Sequence, residues 1–168
     1  MSTAKKVTLV TADKVEFEVD EAVAMKFGIV KSFLEENSEK IPLPNVYSMV
    51  LSLVIEYCKA HLELTDEKAK QFNENFFKSQ HNQTLMAMCL AANYLDEKEL
   101  LDTVEQAIAD RMENKSVEYA RKFFGIENDF TPEEEEDLRQ GNEWAFEGVD
   151  DDEQLSEKLW YCNINISI

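Results

Sequence analysis

The first twenty residues alternate between hydrophobic and polar side chains. The apolar positions of the two alternating runs are Val7 and Leu9, then Val15, Phe17 and Val19. A period of two places every second side chain on the same face of a strand. With the polar turn Thr11-Ala12-Asp13-Lys14 between the runs, the pattern predicts a β-hairpin with one buried face. Residues 1–5 are predicted to form a loose lead-in.

Helical spacing replaces the alternation from residue 20 onwards. Residues 20–24 predict a short helix, and a second helical stripe follows, formed by Ile29, Val30, Phe33 and Leu34. The segment 41–45 contains two prolines, each of which restricts itself and the residue before it. It therefore predicts a short extended piece, which we expect to be a third strand at an edge of the sheet.

Three longer helices are predicted in the middle of the chain. The first carries apolar residues at a regular three-four spacing, namely Val46, Met49, Val50, Leu53, Val54, Tyr57 and Cys58. Asn45 can cap this helix, which should end near His61. The polar stretch 63–71 predicts a surface linker, and the three phenylalanines within 72–77 mark a short helical or irregular piece.

The second of these helices, residues 85–95, is apolar on every side. Such a helix is either fully buried or covered by a partner on one face. The residues Asp96-Glu97-Lys98-Glu99 are interpreted as a capping box that starts the third helix. The apolar face of that third helix consists of Leu100, Leu101, Val104, Ala107, Ile108 and Met112.

The C-terminal part of the chain predicts two further helices, the first over residues 117–124. The second begins at Thr131, because the threonine oxygen can cap the first turn, Pro132 suits the first helical position and Glu134 completes a capping box. This helix has little core of its own, and the apolar side chains that need cover are Phe130, Leu138, Trp144 and Phe146. They either fold back on the domain or bind a partner.

The order of these elements indicates the fold class. A small strand-rich start precedes a helical middle and a helical C-terminal part, so we expect an α+β fold, mostly helical, with a thin sheet and helices packed against it. A chain of 168 residues with 44% hydrophobic content can bury one sizeable core, so one compact domain with an extension is expected.

The formal net charge of −18 narrows the range of partners. Nucleic acid demands a basic surface and anionic membranes attract lysine and arginine clusters, so we expect neither as a partner. No signal peptide and no run of about 18 apolar residues that could span a bilayer is recognised. Cys58, Cys89 and Cys162 are scattered, which predicts buried free thiols in a reducing compartment. These features predict an intracellular soluble protein.

Candidate catalytic and metal-binding groups are sparse. His61 and His81 lie in polar surroundings and are interpreted as surface groups. Cys58 lies three residues before His61, but no third group orients the pair and no oxyanion site is identified. Paired zinc ligands and a glycine-rich phosphate loop are absent from the sequence, and the carboxylate runs at 133–137 and 150–153 lack the spacing of a calcium loop. We therefore expect no enzyme activity, no cofactor and no metal.

Asn93 and Tyr94 have the composition of a protein interface. They follow the all-apolar helix and precede a cap, so they should lie at an exposed end. A tyrosine beside a polar amide suits a binding contact, because aromatic anchors carry much of the energy at interfaces. The alternative is that Tyr94 only covers the core, and the sequence leaves both readings open.

A second candidate interface lies in the C-terminal part, where the large apolar residues are Phe124, Ile126, Phe130, Leu138 and Trp144. They are too many for segments this short to bury by themselves. A partner that presents amphipathic helices would cover them, and the neighbouring glutamates would attract its basic residues. A weak homodimer of the free protein is the other way to hide this surface.

The segment 128–136, Asn-Asp-Phe-Thr-Pro-Glu-Glu-Glu-Glu, followed by 142–147, Asn-Glu-Trp-Ala-Phe-Glu, resembles the C-terminal signature of the S-phase kinase-associated adaptor family. Members of that family link F-box proteins to the cullin in SCF ubiquitin ligases. The Trp-Ala-Phe-Glu ending is most similar to plant members. Other blocks that resemble the family follow in the family's order, at 20–24, 41–46, 54–59 and 90–95.

The resemblance implies a BTB/POZ-like domain over residues 4–113, with the cullin contact at Asn93 and Tyr94. It implies C-terminal helices over 114–147 that bind the F-box. The F-box contacts that it implies are Phe124, Ile126, Phe130, Leu138, Asn142 and Trp144. The function implied is that of a non-catalytic adaptor in an SCF-type cullin-RING E3 ubiquitin ligase, located in the nucleus and cytoplasm.

The chain departs from the family at several positions. The acidic loop before the middle helix is shorter, and Phe72 stands where tryptophan is common. Segment 114–119 lacks the usual proline, and Gly141 stands where glutamate is usual. A divergent BTB-like adaptor that has lost one of its two contacts is therefore one alternative. An acidic, chaperone-like binder of basic proteins is the other.

The C-terminal tail is a further departure, since 21 residues follow Glu147, near which most members end. Residues 148–168 are first acidic and then apolar, and their acidic lead and terminal position predict disorder. The alternative is that Leu159-Trp160 folds over the F-box surface as an internal competitor.

Overall fold

The computed structural model of this chain describes residues 5–35 and 40–149. The predictions for the tail from residue 150 onwards, and for residues 1–4 of the lead-in, lie outside the described residues. The chain divides into two compact units, Met1–Ile108 and Ala109–Ile168. This division falls within a helix, whereas the resemblance implied a boundary after residue 113.

The first unit contains a three-stranded sheet in the order β2-β1-β3. Strand β1 (Lys6–Thr11) pairs antiparallel with β2 (Glu16–Asp20) and parallel with β3 (Lys40–Leu43), so that Leu9 lies opposite Ile41. The predicted hairpin and the predicted third edge strand are confirmed. The proline of β3 is tolerated because an edge strand leaves one row of backbone N–H groups outside the ladder.

Six helices complete this unit and its connection to the next. They are α1 (Glu21–Ala24), α2 (Gly28–Glu35), α3 (Ser48–Glu63), α4 (Asp66–Lys78), α5 (Asn82–Leu95) and α6 (Lys98–Met112). The fully buried side chains of the core include Leu9, Phe27, Ile41, Leu51, Tyr57, Leu85, Leu95 and Leu100. Each such side chain contributes about 1.5–3 kcal/mol through burial, so sheet, α3 and α5 together form the stable centre of the unit.

Helix α3 begins at Ser48, and the prediction that Asn45 caps it is wrong. Tyr47 occupies the capping position and offers no side-chain hydrogen bond. Asp13 in the β1–β2 turn takes this role, because its carboxylate accepts hydrogen bonds from the Ser48 N–H (2.9 Å) and the Ser48 hydroxyl. A residue distant in sequence therefore satisfies the free N–H group at the start of the helix.

Acid is expected to weaken this Asp13 contact. Hydrogen bonds from Ser48, and then from Thr11, lower the pKa of Asp13 from 3.8 to about 2. Because the folded pKa is depressed, the group stabilises the fold above about pH 4, and this contribution is lost as the pH falls towards 2. Chemical denaturation between about pH 5 and 2 should show a smaller decline for Asp13→Asn than for the unaltered chain. Asp102→Asn, on an exposed face of α6, is the control, and equal declines for all three proteins would contradict the prediction.

The prediction of a surface linker over residues 63–71 is wrong, because most of this stretch lies in α4. Asp66 and Glu67 occupy the first turn of α4, where carboxylates interact favourably with the helix dipole. The buried Phe76 and Phe77 attach the second half of α4 to the core. The first two turns face solvent and carry no apolar stripe, which is why hydrophobic periodicity does not reveal them.

The predicted capping box at residues 96–99 is also wrong in its assignment. Asp96 adopts the left-handed conformation (φ 53°) and ends α5. The next residue, Glu97, caps α6, because its buried carboxylate accepts a hydrogen bond from the Leu100 N–H. Burial raises the pKa of Glu97. Only Asp96 and Glu97 lie between α5 and α6. Asp96 therefore ends α5, and Glu97 caps the start of α6.

The side chain of His61 is largely covered, and its interpretation as a surface group is wrong. Its side chain is only 8% exposed, and its ring stacks on Tyr57 with 4.0 Å between centroids. Nδ1 lies 2.9 Å from the Glu99 carboxylate and Nε2 lies 2.8 Å from Asn73 Oδ1. Glu99 also accepts a hydrogen bond from Lys26, which holds the pKa of Glu99 below its usual range. The network gives each buried polar group a partner and ties α3 to α4 and α6.

The second unit contains α7 (Val117–Phe124), α8 (Pro132–Gly141) and a 3-10 helix (Glu143–Phe146). The predicted bounds of α7 are confirmed. The predicted capping box of α8 is confirmed as well, because the Thr131 hydroxyl accepts from the Glu134 N–H (3.3 Å) while the Glu134 carboxylate accepts from the Thr131 N–H (2.9 Å). No residue of α8 is buried, so its start depends on this local capping.

Two glycine-to-alanine changes in this unit should have opposite effects on stability. Gly125 ends α7 with φ of 67°, and alanine in that left-handed conformation should lower the free energy of unfolding by about 1 kcal/mol. Gly141 lies in the last turn of α8, where an added Cβ would meet no atom within 4 Å. Gly141→Ala should therefore raise the helicity and the free energy of unfolding by up to about 1 kcal/mol. Denaturant titration followed by circular dichroism measures both, and changes of the same sign would contradict the prediction.

Candidate partner-binding surfaces

The second unit carries an exposed apolar surface. Six large side chains are exposed by 41–74%, namely Val117, Phe124, Ile126, Phe130, Leu138 and Trp144. Soluble proteins seldom leave this many large apolar groups in water over such a short stretch unless they bind something. We call these six residues, together with Phe146, the apolar face.

A groove of about 170 Å³ lies within the apolar face. Its lining consists of Val117, Arg121, Phe130, Glu135, Leu138, Arg139 and Phe146. The guanidinium carbon of Arg121 lies 5.9 Å from the centre of the Phe130 ring, and that of Arg139 lies 5.0 Å from the centre of the Phe146 ring. Cations over ring faces fix the aromatic side chains in place, so the groove has a defined shape.

Ion pairs between α7 and α8 hold the two helices that form the groove. Arg121 donates to the Glu135 carboxylate (3.0 Å), and Asn128 in the connecting loop donates to the same carboxylate (3.3 Å). The hydrogen bond from Arg121 holds the pKa of Glu135 below its usual range. A second ion pair joins Arg139 to Glu118. These charge-assisted contacts bridge helices that share little buried surface.

The structure brings together some of the predicted F-box contacts and separates others. Phe130 and Leu138 line the same groove. Ile126 lines a neighbouring groove of about 280 Å³ that also contains Arg121 and Glu135. Phe124 is exposed and lies outside both grooves, packed edge-on against Phe123 with 4.9 Å between ring centroids.

Asn142 and Trp144 also lie outside both grooves. The Asn142 side-chain amide donates to the carbonyl oxygen of Leu138 (2.9 Å), so it completes the end of α8. Trp144 is 74% exposed, more than any other large apolar side chain in the described part of the chain. Its ring is therefore free to insert into a partner, while Asn142 is held by its own helix.

Sequence reasoning missed the groove residues Val117, Arg121 and Arg139 as binding candidates, whereas it had named Phe146 as a side chain that needs cover. Val117 could have been found, because it is an apolar residue at the start of a predicted helix. The two arginines gave no sequence signal, because their place over the rings depends on how α7 and α8 pack.

A second candidate surface lies at the end of α5. Asn93 is exposed, and Tyr94 is half-buried and packs against the core of the first unit. Leu90, three residues before Asn93, is 67% exposed and lies on the same face of the helix. The all-apolar helix is therefore buried on one face and open on the other, and Leu90 is a binding candidate that the sequence did not single out.

The cysteine and the histidines that the sequence offered as chemical groups are poorly placed for catalysis. Burial raises the pKa of the Cys58 thiol to about 12, which is the opposite of what a nucleophilic cysteine needs. His81 is exposed, and among the described residues no cluster of three histidine, cysteine, aspartate or glutamate side chains could hold a metal ion. None of the helices described here is both long and apolar enough to cross a membrane.

Two family models match this chain. Residues 5–63 match the model described as "Skp1 family, tetramerisation domain", and residues 98–145 match the one described as "Skp1 family, dimerisation domain". The first match contains the sheet and α3, and the second contains every residue that lines the groove except Phe146. The predicted α+β, mostly helical class with a BTB/POZ-like domain is confirmed.

Curated relatives align over most of the chain. SKP1-like protein 14 of Arabidopsis thaliana is 45% identical over 149 residues, which cover 86% of this chain and 99% of that protein. SKP1-like protein 1A of the same plant is 43% identical, with the same coverage of 86% and 99%. SKP1-like protein 1 of Oryza sativa subsp. japonica is 41% identical, covering 85% of this chain and 96% of that protein. The chain belongs to the Skp1 family.

Proposed function

We propose that this protein is the adaptor subunit of an SCF-type cullin-RING E3 ubiquitin ligase, in which it bridges the cullin to F-box substrate receptors. The observation that carries the proposal is the exposed apolar groove between α7 and α8, which the Skp1 family model covers except for Phe146. The adaptor is non-catalytic, and substrate specificity resides in the F-box partner.

The apolar face suits an amphipathic helical partner such as an F-box. Phe130 and Leu138 offer a groove for apolar anchors, and Trp144 projects an anchor of its own. The first turn of α8 carries Glu133, Glu134 and Glu135, which would attract basic residues at the rim of the partner. Burial of the apolar groups supplies the affinity, and the charges mainly supply orientation and association rate.

The open end of α5 suits the N-terminal domain of a cullin. Asn93 offers an exposed amide, Tyr94 an aromatic edge and Leu90 an apolar anchor on one helical face. Such a mixture is typical of interface centres. Tyr94 is partly fixed by the core, so little side-chain entropy would be lost when it binds.

Two interfaces on one chain explain how a protein without catalytic groups promotes ubiquitin transfer. Holding the cullin and an F-box receptor at the same time raises the effective concentration of substrate near the transfer machinery. We propose that the protein acts in the nucleus and the cytoplasm.

Two other functions make different predictions. An adaptor that has lost one contact would bind either the F-box or the cullin, but not both. An acidic binder of basic proteins would depend on the net charge of −18, so its affinity should fall steeply with ionic strength. An F-box interface built from apolar groups should survive the same salt.

The test is a calorimetric titration with an F-box domain and, separately, with a cullin N-terminal domain, at about 0.05 M and 0.5 M salt. We expect salt-resistant binding of the F-box domain by the version of the chain that ends at Val149. Asn93→Ala/Tyr94→Ala should weaken cullin binding and leave F-box binding unchanged. If neither this chain nor a version ending at Val149 binds the F-box domain, the proposal is refuted. Steep loss of binding in salt would favour the acidic binder.

A further inference from the structure

The C-terminal segment of this chain lies beyond the second family model. The alignment to SKP1-like protein 14 covers 99% of that protein but 86% of this chain, and the second family model ends at residue 145. The segment after Val149 contains large apolar residues that the adaptor function does not use, namely Leu155, Leu159, Trp160, Ile164, Ile166 and Ile168. Large apolar side chains of this kind gain free energy when an apolar surface covers them.

The described chain ends close to the groove. Phe146 lines the groove, and Val149 follows three residues later. Because an extended chain spans roughly 3.3–3.6 Å per residue, the six residues from Val149 to Leu155 can bridge up to about 20 Å. Leu155, Leu159 and Trp160 are therefore tethered within reach of Phe130 and Leu138.

We propose that the segment 155–160 binds in cis to the groove of the apolar face and competes there with the F-box. The proposal rests on the adaptor function, and it adds a regulation to that function. The groove of about 170 Å³ is lined by four apolar side chains, two arginines and Glu135, whose carboxylate is paired with Arg121. Its apolar part suits a leucine or an indole ring.

Tethering makes even a weak contact effective. A short flexible linker presents its ligand at an effective concentration in the millimolar range, so a segment with millimolar affinity occupies the groove for much of the time. A second copy of the chain would have to reach such concentrations in solution against the repulsion of two molecules that each carry a net charge of −18. The groove therefore favours its own tail over a second copy.

Charge repulsion opposes the docking of the tail. The linker contains Asp150, Asp151, Asp152 and Glu153, and the first turn of α8 carries Glu133–Glu135. These like charges repel each other, and salt screens exposed charges of this kind. Docking of the tail should therefore become tighter, not weaker, as the ionic strength rises.

The consequence for function is a measurable competition. An F-box can bind only when the tail has left the groove. Its apparent dissociation constant therefore rises by the same factor by which docking of the tail lowers the fraction of molecules with an open groove. Ending the chain at Val149 should tighten F-box binding by about threefold to tenfold. The double substitution Leu159→Asp/Trp160→Asp, which keeps the tail at full length, should have the same effect, because it removes the apolar ligand and leaves the linker in place.

Docking can be measured without any F-box. The chain has two tryptophans, Trp144 and Trp160, so Trp144→Phe leaves Trp160 as the only indole reporter. We expect blue-shifted emission of Trp160 and protection from acrylamide quenching, independent of protein concentration and stronger in salt. Adding Leu138→Asp should expose the reporter, whereas Gln140→Asp on the same helix should not. Circular dichroism checks that α8 is retained in both variants.

Three results would overturn the proposal. The first is equal quenching of Trp160 with and without Leu138→Asp, and the second is protection that depends on protein concentration, which would make a second copy the occupant. The third is F-box binding that is unchanged by both the truncation and the double substitution. If the chain ending at Val149 does not bind an F-box domain at all, the adaptor function fails, and the fluorescence result still decides separately whether the tail docks.

Discussion

Replacing Leu138 with aspartate is expected to weaken F-box binding by about 2–4 kcal/mol, roughly 30-fold to 1000-fold. Leu138 lies in the groove beside Phe130 and is 45% exposed, so the change removes an anchor without opening the core. The new carboxylate would be desolvated by an apolar partner helix, next to Glu135, which already carries a negative charge there. The loss should appear in the dissociation rate more than in the association rate.

The matched control is Gln140→Asp. It introduces the same residue on the same helix, but Gln140 lines neither groove. Its effect on F-box affinity should be small and should vanish in salt. Surface plasmon resonance with an immobilised F-box domain measures both rates. Equal losses for the two variants would show that net charge, and not the groove, governs binding.

Replacing Gly28 with alanine is expected to lower the free energy of unfolding by about 1–3 kcal/mol. A Cβ on Gly28 would lie 2.2 Å from Asp96 Oδ2, 2.7 Å from its Cγ and 2.8 Å from its Cβ. The Gly28 N–H also donates to the Asp96 carbonyl (3.4 Å), so the start of α2 and the end of α5 cannot separate without losing this contact. A shift of Asp96 that relieves the clash should also weaken cullin binding, because Asp96 lies two residues after Tyr94 in the chain.

A second substitution distinguishes this clash from a general loss of stability. The three atoms nearest to the added Cβ all belong to the Asp96 side chain, and Asp96 has φ of 53°, which glycine adopts readily. The double variant Gly28→Ala/Asp96→Gly should therefore recover most of the stability and of the cullin affinity. A double-mutant cycle of denaturant unfolding measures the coupling, and additive effects of the two changes would contradict the predicted contact.

Much of the architecture follows from local patterns. The period-two runs at the start of the chain and the proline-rich edge strand predict the observed sheet, because side-chain alternation reports directly which face is buried. The capping box at Thr131 predicts the start of α8 to the residue, since both of its hydrogen bonds join groups three positions apart. The family resemblance, and with it the adaptor class, is confirmed by relatives that align over most of the chain.

The wrong predictions concern contacts between residues far apart in the chain. Asp13 replaces Asn45 as the cap of α3 across 35 positions, and the His61 side chain lies between groups from two other helices, α4 and α6. Local periodicity cannot detect either arrangement, because it compares only neighbours within one element. For the same reason it missed the charged first half of α4, whose attachment to the core depends on Phe76 and Phe77 further along.

The sequence by itself determined the class of this protein: an acidic α+β chain of the Skp1 family, with too many large apolar residues near its C-terminus to bury. Those properties depend on composition, short-range spacing and motif order. Only the tertiary structure decided which of these residues share a groove, that Leu90 extends the open face of α5, and that Arg121 and Arg139 hold the aromatic rings. The physical reason is that a binding surface is formed by side chains from several elements, and their juxtaposition depends on packing that no local pattern records.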